Sequence, residues 1–203
     1  MSMKRVLDLV VVALTLPVWL PLLLVIGLLV LTIEGRPILF SQERPGRKNQ
    51  LFVLRKFRTM TNRLDSDGSP LPDASRLTGF GRWLRASSLD ELPEVWNVIC
   101  GEMSLVGPRP LLVEYLPLYD DTDARRHEVA PGITGWAQVN GRNAITWAEK
   151  FRLDVWYVDH QSFALDVQIL IRTLALVFRR HGINAPGEAT MQRYSGRPRR
   201  GPD

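Results

Sequence analysis

The sequence is poor in the residues that build disulfides and metal centres. It has one cysteine, Cys100, and three histidines in 203 residues. A single cysteine excludes an internal disulfide framework and a zinc site made of thiolates, and it is typical of a protein from a reducing compartment. The three histidines lie far apart, at 127, 160 and 181, and match no metal-ligand spacing.

Common nucleotide-binding and hydrolytic signatures are also missing. There is no Walker P-loop, and "GFGRW" at 79–83 follows no convincing strand, so it is not a dinucleotide fingerprint. No Ser-His-Asp arrangement can be nominated, and there is no internal repeat. A chain of this length buries one good core, so we expect one compact domain with appendages.

Positive charge is concentrated near the N-terminus. The formal net charge is +5, yet residues 1–60 hold nine Lys and Arg against three Asp and Glu, which leaves −1 for the rest. Because these cations flank an uncharged segment, anionic lipid headgroups fit them better than nucleic acid does. We therefore expect a membrane surface as a partner and no nucleic acid.

The uncharged segment covers residues 9–33 and is long enough to cross the roughly 30 Å hydrocarbon core. It lacks the short apolar region and cleavage site of a signal peptide. Pro17 and Pro21 predict a bend in its middle. Basic residues lie on both sides, whereas a simple span concentrates them on one. The pattern favours a re-entrant helix over residues 1–36; a kinked span stays open as the alternative.

The remaining chain predicts an α+β fold that is mostly helical. Two strands, 38–42 and 51–60, form a short hairpin, and 61–75 is a polar loop. Helices are expected at 76–86, 89–100, 110–128 with a break at Pro117, 146–158 and 166–180. Residues 130–143 are too rich in Gly and Asn for a helix and predict a structured loop or hairpin. The predicted domains are the membrane helix 1–36, a main domain 37–185 and a tail 186–203.

The helix at 166–180 is apolar around most of its circumference. Arg172, Arg179 and Arg180 are the exceptions. A core helix and an amphipathic helix lying in the membrane interface explain this pattern equally well. Four tryptophans could anchor such interfacial helices, although most tryptophans belong to cores: Trp83, Trp136, Trp147 and Trp156.

Two adjacent carboxylates, Asp90 and Glu91, come at a predicted helix start. Ser88 and Glu91 have the spacing of a capping box, and an apolar helical face follows. Pro93 moves the start toward Asp90, but in either register both acids lie in the first turn, where the helix dipole favours anions. Helix capping alone is therefore one interpretation of the pair.

The segment "SLVGPRP" supports a second interpretation, because it holds Arg109 between two prolines about one helix later. A helix N-terminus together with a fixed guanidinium is suited to phosphate binding. An ionised carboxylate beside a bound phosphate can attack it if a divalent cation screens the repulsion. Magnesium is the cation that suits carboxylate and phosphate oxygens. The pair therefore points to phosphoryl chemistry.

Several long motifs in fixed order resemble those of the bacterial sugar transferases, the monotopic phosphoglycosyl transferases. They are "FSQERPG", "KFRTM", "SLDELPEVWNVICGEMSLVGPRPLLVEYLPLY", "PGITGWAQVNGRNAITW" and "YVDHQSFALDVQILIRT". The resemblance extends from the membrane segment to about Met191. It is closest to the short form of the family, which has only the membrane-dipping helix and the catalytic domain.

The resemblance implies a reaction and roles for particular residues. A sugar 1-phosphate would move from a UDP-sugar to undecaprenyl phosphate with release of UMP, as the first membrane step of glycoconjugate assembly. By motif, Asp90 matches the nucleophile and Mg²⁺ ligand, Glu91 its dyad partner, and Arg109 a phosphate-binding arginine. Lys56 and Arg58 are implied as further phosphate-binding residues.

Two more residues and one departure complete the comparison with the family. Arg142 and Asn143 fall in the "GRN" motif and are implied in binding the nucleotide sugar. Many members carry Ser-Pro at the re-entrant break, where this chain has Leu20-Pro21. The missing serine affects the expected sharpness of the bend and not the chemistry.

The expected location is the cytoplasmic face of the bacterial inner membrane. The expected partners are a UDP-sugar, undecaprenyl phosphate and anionic lipid headgroups; a homodimer is an option that the sequence does not decide. Two rival functions stay open at this point. One is a membrane-anchored phosphohydrolase with an aspartyl-phosphate intermediate, and the other is a scaffold without catalysis. The sequence gives neither the sugar nor the pathway.

Overall fold

The computed structural model describes residues 2–141, 145–179 and 193–196, and its architecture confirms the mostly helical α+β fold. The helices are α1 (Met3–Ile33), α2 (Asp73–Arg76), α3 (Gly79–Ser87), α4 (Glu94–Cys100), α5 (Asp121–Ala124), α6 (Trp136–Val139), α7 (Trp147–His160) and α8 (Phe163–Arg179). The strands are β1 (Leu39–Pro45), β2 (Leu51–Phe57), β3 (Ser104–Val106) and β4 (Gly132–Thr134). Short 3₁₀ turns cover Arg47–Asn49, Leu89–Glu91, Val113–Leu118 and Arg125–His127.

Helix α1 is the apolar N-terminal segment. Ser2 caps its start by accepting a hydrogen bond from the Arg5 N–H, and the helix continues through Pro17 and Pro21. Its 31 residues correspond to a length of about 46 Å if straight. Within the described residues it is the one helix long and apolar enough to cross a membrane.

Both ends of α1 pack against the rest of the protein. Near its start, Arg5 Nη2 donates to the Ile99 carbonyl at 2.7 Å, and Asp8 accepts a hydrogen bond from the Ser104 hydroxyl at 3.0 Å. Near its end, Ile26 and Val30 are buried in one cluster with residues from β2 and α3. Lys4 and Arg5, expected at lipid headgroups, are thus engaged inside the protein, Lys4 through Asp166 at 2.7 Å.

The middle of α1 is largely exposed. Residues 13–18 and 20–22 are accessible on every side of the helix, while Trp19 is half-buried. The Trp19 indole N–H donates to the Val12 carbonyl, seven residues earlier, at 2.9 Å. Helix α1 is therefore fixed at two ends to one domain and exposes its apolar middle, which contains both prolines.

The predicted hairpin is confirmed as an antiparallel pair of β1 and β2. Its register runs from Leu39 opposite Phe57 to Pro45 opposite Leu51. Phe52 and Leu54 point into the main core, and alternation along the strand places Lys56 on the same face. The hairpin thereby carries Lys56 to the edge of the core.

A second, parallel pair of strands, β3 and β4, was not predicted. Ser104 lies opposite Gly132 and Val106 opposite Thr134. The backbones approach so closely that a Cβ on Gly132 would lie 2.1 Å from the Gly107 main-chain nitrogen. The glycines that made 130–143 look like a loop are therefore the residues that permit this strand contact.

Three predicted helices are wrong in their continuity. The expected helix 76–86 is divided into α2 and α3, because Thr78 starts α3 by accepting a hydrogen bond from the Gly81 N–H at 2.8 Å. The expected helix 89–100 is a 3₁₀ turn followed by α4. The expected helix 110–128 is a series of short turns, with Pro117 inside the first of them.

The predicted helices at 146–158 and 166–180 correspond to α7 and α8. Helix α8 has one face in the core and one exposed apolar face, so it has features of both the core helix and the interfacial helix that were considered. Leu165 and Ile169 are buried, whereas Ile171 and Leu174 are 62% and 60% exposed. In the expected tail, the described residues 193–196 include Tyr194, which is buried against Tyr115 and other aromatic residues. The tail therefore contributes a side chain to the catalytic domain.

Candidate active site

Asp90 and Glu91 lie in the 3₁₀ turn Leu89–Glu91, the acidic turn, which precedes α4 and is separate from its first turn. Ser88 has left-handed backbone angles, φ 58° and ψ 17°, and ends α3. Its side chain forms no capping hydrogen bond, so the predicted capping box is wrong. The turn places both carboxylates beside β2 because the chain reverses at Ser88 before Pro93 starts α4.

Glu91 binds two of the three cations that were predicted to bind phosphate, Lys56 and Arg109. Lys56 Nζ lies 2.7 Å from Glu91 Oε1, and Arg109 donates from Nη1 and Nη2 to the two carboxylate oxygens. Burial by itself raises the pKa of Glu91, but Arg109 and Lys56 hold it well below its usual value. Glu91 is therefore a permanently ionised carboxylate that holds two cations in place.

Asp90 is in a contrasting environment. Its side chain has no hydrogen bond or ion pair within the part of the chain that the structure describes, although the residue is only 9% exposed. Burial and the neighbouring Glu91 charge raise its pKa to about 6, against the lowering effect of Lys56 and two arginines. At neutral pH this is an ionised carboxylate without a partner, which is the state that a nucleophile requires.

Glu94 is a third carboxylate of the site that the sequence did not reveal. It is 2% exposed, and its Oε1 lies 3.0 Å from Lys56 Nζ. Burial raises the pKa of Glu94 to about 7, although Lys56 counteracts the shift. An acid in the first turn of a helix is usually a dipole partner, so only the position of Lys56 distinguishes this one.

Asn97 fixes the helix that carries Glu94 to the strand that carries Lys56. Its side chain is fully buried, donates from Nδ2 to the Val53 carbonyl at 2.8 Å and accepts from the Arg55 N–H at 3.4 Å. These bonds replace the pairing that β2 lacks on its second edge. They thereby hold the strand of Lys56 beside the helix of Glu94.

Arg109 follows directly after the close contact of β3 and β4. Gly132 N–H donates to the Pro108 carbonyl at 3.0 Å, which fixes the start of the loop. The Arg109 side chain is 39% exposed even though it is paired with Glu91. Part of the guanidinium can therefore reach a ligand in solution while Glu91 holds the rest.

The other predicted residues have different positions. Arg58 donates to the carbonyls of Glu34 and Arg36 at the end of α1, so its predicted role in phosphate binding stays a prediction that this geometry does not favour. Arg142 and Asn143 lie outside the described residues. Arg85, which was not predicted, donates to the Thr59 hydroxyl at 3.0 Å, and its charge lowers the pKa of Asp90.

The residues fit a magnesium ion whose coordination shell is completed by oxygens of the substrate. Within the described ranges no three His, Cys, Asp or Glu side chains converge as a protein-only metal site requires. Mg²⁺, however, commonly binds one or two carboxylates together with substrate phosphates and water. The unpartnered Asp90 carboxylate is such a ligand, whereas Glu91 is occupied by Lys56 and Arg109.

Comparison with known proteins gives the family. Residues 1–180 match the family described as bacterial sugar transferase. The chain belongs to this family. The resemblance in its motifs is thereby confirmed, and the acidic turn and the Arg109 loop both lie within the matched part of this sugar transferase.

Named relatives of the transferase include short and long proteins. It is 57% identical over 162 residues to the "Uncharacterized sugar transferase EpsL" of Bacillus subtilis, covering 80% of each chain. It is 36% identical to the "Exopolysaccharide production protein ExoY" of Sinorhizobium fredii, covering 86% of this chain and 84% of that one. It is 34% identical to the "Undecaprenyl-phosphate galactose phosphotransferase" of Salmonella typhimurium, covering 89% of this chain and 41% of that longer protein.

Proposed function

We propose that this transferase moves a sugar 1-phosphate from a UDP-sugar to undecaprenyl phosphate and releases UMP. The observation that carries the proposal is the contrast within the acidic turn: Glu91 is held by two cations, while the adjacent Asp90 has no ion-pair partner among the described residues. Relatives from Salmonella typhimurium and Komagataeibacter xylinus, both named undecaprenyl-phosphate sugar phosphotransferases, support the same class of reaction.

In the proposed first step Asp90 attacks the phosphorus nearest the sugar. A bond forms between Asp90 Oδ and phosphorus, and the bond from that phosphorus to the oxygen shared with UMP breaks. UMP leaves with that oxygen, and the sugar phosphate stays on Asp90. Arg109 lies beside the carboxylate turn with its guanidinium partly exposed, so it can bind the diphosphate and stabilise the charge that develops on the leaving group.

In the proposed second step a phosphate oxygen of undecaprenyl phosphate attacks the same phosphorus, and the bond to Asp90 breaks. Lys56 stays paired with Glu91 and Glu94, so its charge is available near the reacting phosphate without leaving its position. A bound Mg²⁺ would supply the charge that screens the carboxylate from the phosphates. Asp90 would be its protein ligand.

The membrane arrangement belongs to the same proposal. Both ends of α1 contact one domain, which suits a helix that enters and leaves the same leaflet and keeps the site at the depth of the lipid phosphate. We place the catalytic domain on the cytoplasmic face of the bacterial inner membrane. The exposed apolar face of α8 suits contact with the membrane interface.

The proposal is tested by the product formed without lipid. Purified transferase is mixed with Mg²⁺ and one UDP-sugar at a time, and nucleotides and protein mass are measured. We expect UMP in about one equivalent per enzyme and a sugar-phosphate adduct on Asp90, with UMP release before lipid binding. Release of UDP would contradict the mechanism. Continuous UMP release without lipid would instead identify the phosphohydrolase alternative.

A further inference from the structure

A buried ion pair lies directly behind the Arg109 loop. Arg126 and Asp154 have side chains that are 1% and 2% exposed. Arg126 Nε and Nη2 donate to Asp154 Oδ2 at 3.1 and 2.8 Å. The same Nη2 donates to the main-chain carbonyl of Arg109 at 2.7 Å. The Arg126 guanidinium, held by Asp154, thus also binds the main chain of Arg109, whose side chain binds Glu91.

The sequence of the loop makes this contact important. Pro108 and Pro110 have no N–H, so the loop has few main-chain donors of its own and its carbonyls need donors from elsewhere. Gly132 N–H supplies one for the Pro108 carbonyl, and Arg126 supplies one for the Arg109 carbonyl. These two bonds fix the loop on either side of the Arg109 Cα.

Stability alone does not account for the pair. Removing two charges from water costs about as much as their attraction returns, so a buried ion pair is often replaceable by apolar residues without loss of stability. Arg126 also lies beside the rings of Tyr119 and Phe151, with its Cζ 5.9 and 5.7 Å from their centres. The site could therefore accommodate an apolar side chain, but an apolar side chain could not donate to Arg109.

We infer that Arg126, oriented by Asp154, is a positioning residue that fixes the Arg109 loop and thereby aims the Arg109 guanidinium at the substrate phosphates. The inference rests on the proposed function for the identity of the ligand. A displacement of about 1 Å in a substrate-positioning group can lower the rate by roughly 10²-fold. The effect of losing Arg126 should therefore appear in catalysis more than in stability.

The test replaces the pair by apolar residues in Arg126→Met/Asp154→Leu, in the full chain in detergent. We expect a melting temperature close to that of the wild type, a fall in kcat/KM for the UDP-sugar of about 10- to 100-fold, and faster hydrogen exchange in a peptide covering residues 104–113. Arg109 supplies the one exchangeable amide between the two prolines. The matched control is Arg125→Gln/Asp159→Asn, an adjacent but exposed pair, which should change neither rate nor exchange.

A folded double variant with wild-type kcat/KM, or with a lower kcat/KM but unchanged exchange at 104–113, would overturn the inference. If the double variant does not fold, Arg126→Lys is tested in its place. A single ammonium group cannot reproduce the guanidinium geometry that binds both Asp154 and the Arg109 carbonyl. Wild-type kcat/KM and exchange in that variant would overturn the inference as well. If the wild type itself releases no UMP, the proposed function fails, while the exchange comparison still decides whether Arg126 fixes the loop.

Discussion

Lys56 lies 2.7 Å from Glu91 and forms the link between the β-hairpin and the acidic turn. Because the same ammonium is 3.0 Å from Glu94, one cation partly neutralises both the half-buried Glu91 and the buried Glu94. Arg109 completes the neutralisation of Glu91, whereas Asp90 has no ion-pair partner in the part of the chain that the structure describes. The turn thus divides two adjacent acids into one that holds cations and one that is available for reaction.

Asp90→Asn should abolish both turnover and the sugar-phosphate adduct, because an amide is not a nucleophile. Since burial raises the pKa of Asp90, removing its charge should leave the melting temperature unchanged or higher. The measurement is UMP release together with thermal unfolding of the same preparation. Turnover at the wild-type rate would contradict the assignment of Asp90.

Glu91→Gln should impair the reaction severely while leaving the nucleophile in place. The neutral amide no longer holds Arg109 and Lys56 by charge, so both cations lose their fixed positions. We expect kcat/KM to fall by about 10²-fold or more, with a small residual adduct on Asp90. A variant that keeps wild-type kcat/KM would show that the pairing of these cations does not matter for transfer.

Glu94→Gln should change how stability depends on pH. The folded protein binds the Glu94 proton more tightly than the unfolded chain does, because the pKa is raised from 4.5 to about 7. This contribution to stability is complete below about pH 4.5 and is lost as the pH rises through 7. The variant should therefore gain stability relative to wild type across that window, on the order of 3 kcal/mol by pH 8. Melting temperatures between pH 5 and 8 measure the difference.

The exposed Glu43→Gln is the control for the Glu94 prediction, since it also removes one carboxylate. Its difference from wild type should stay constant between pH 5 and 8. A constant difference for Glu94→Gln as well would mean that Lys56 keeps Glu94 ionised throughout the range.

Much of the site could be predicted from sequence because its parts lie in local motifs. Asp90, Glu91 and Arg109 belong to one continuous segment, and the hairpin that carries Lys56 has clear alternation and turn residues. The boundaries of the helices were harder to predict. Ser88 ends α3 in a left-handed conformation, which a serine rarely adopts and which the sequence therefore does not indicate. That single conformation turns an expected helix start into a separate turn.

The supporting residues could not be predicted because their partners are distant in sequence. Glu94 looks like an ordinary first-turn acid until the fold brings Lys56 to it from a strand. Arg126 and Asp154 are 28 residues apart and meet only when α7 packs against the turn at Arg125–His127. The role of Arg58 stays a prediction, because its motif gives no sign that its side chain binds main-chain carbonyls at the end of α1.

The path of α1 through the membrane gives the last prediction. In a simple span the two ends lie on opposite faces of the bilayer, whereas here both ends contact one catalytic domain. Single cysteines at Ser2 and Ser41, each in a Cys100→Ser background, should therefore be equally protected from a membrane-impermeant thiol reagent in intact cells. Both should react after the cells are permeabilised, which shows that each thiol is accessible from the cytoplasm. Labelling of the Ser2 position alone in intact cells would mean that α1 crosses the membrane, and the contacts of Arg5 and Asp8 with the catalytic domain would then not exist in the cell.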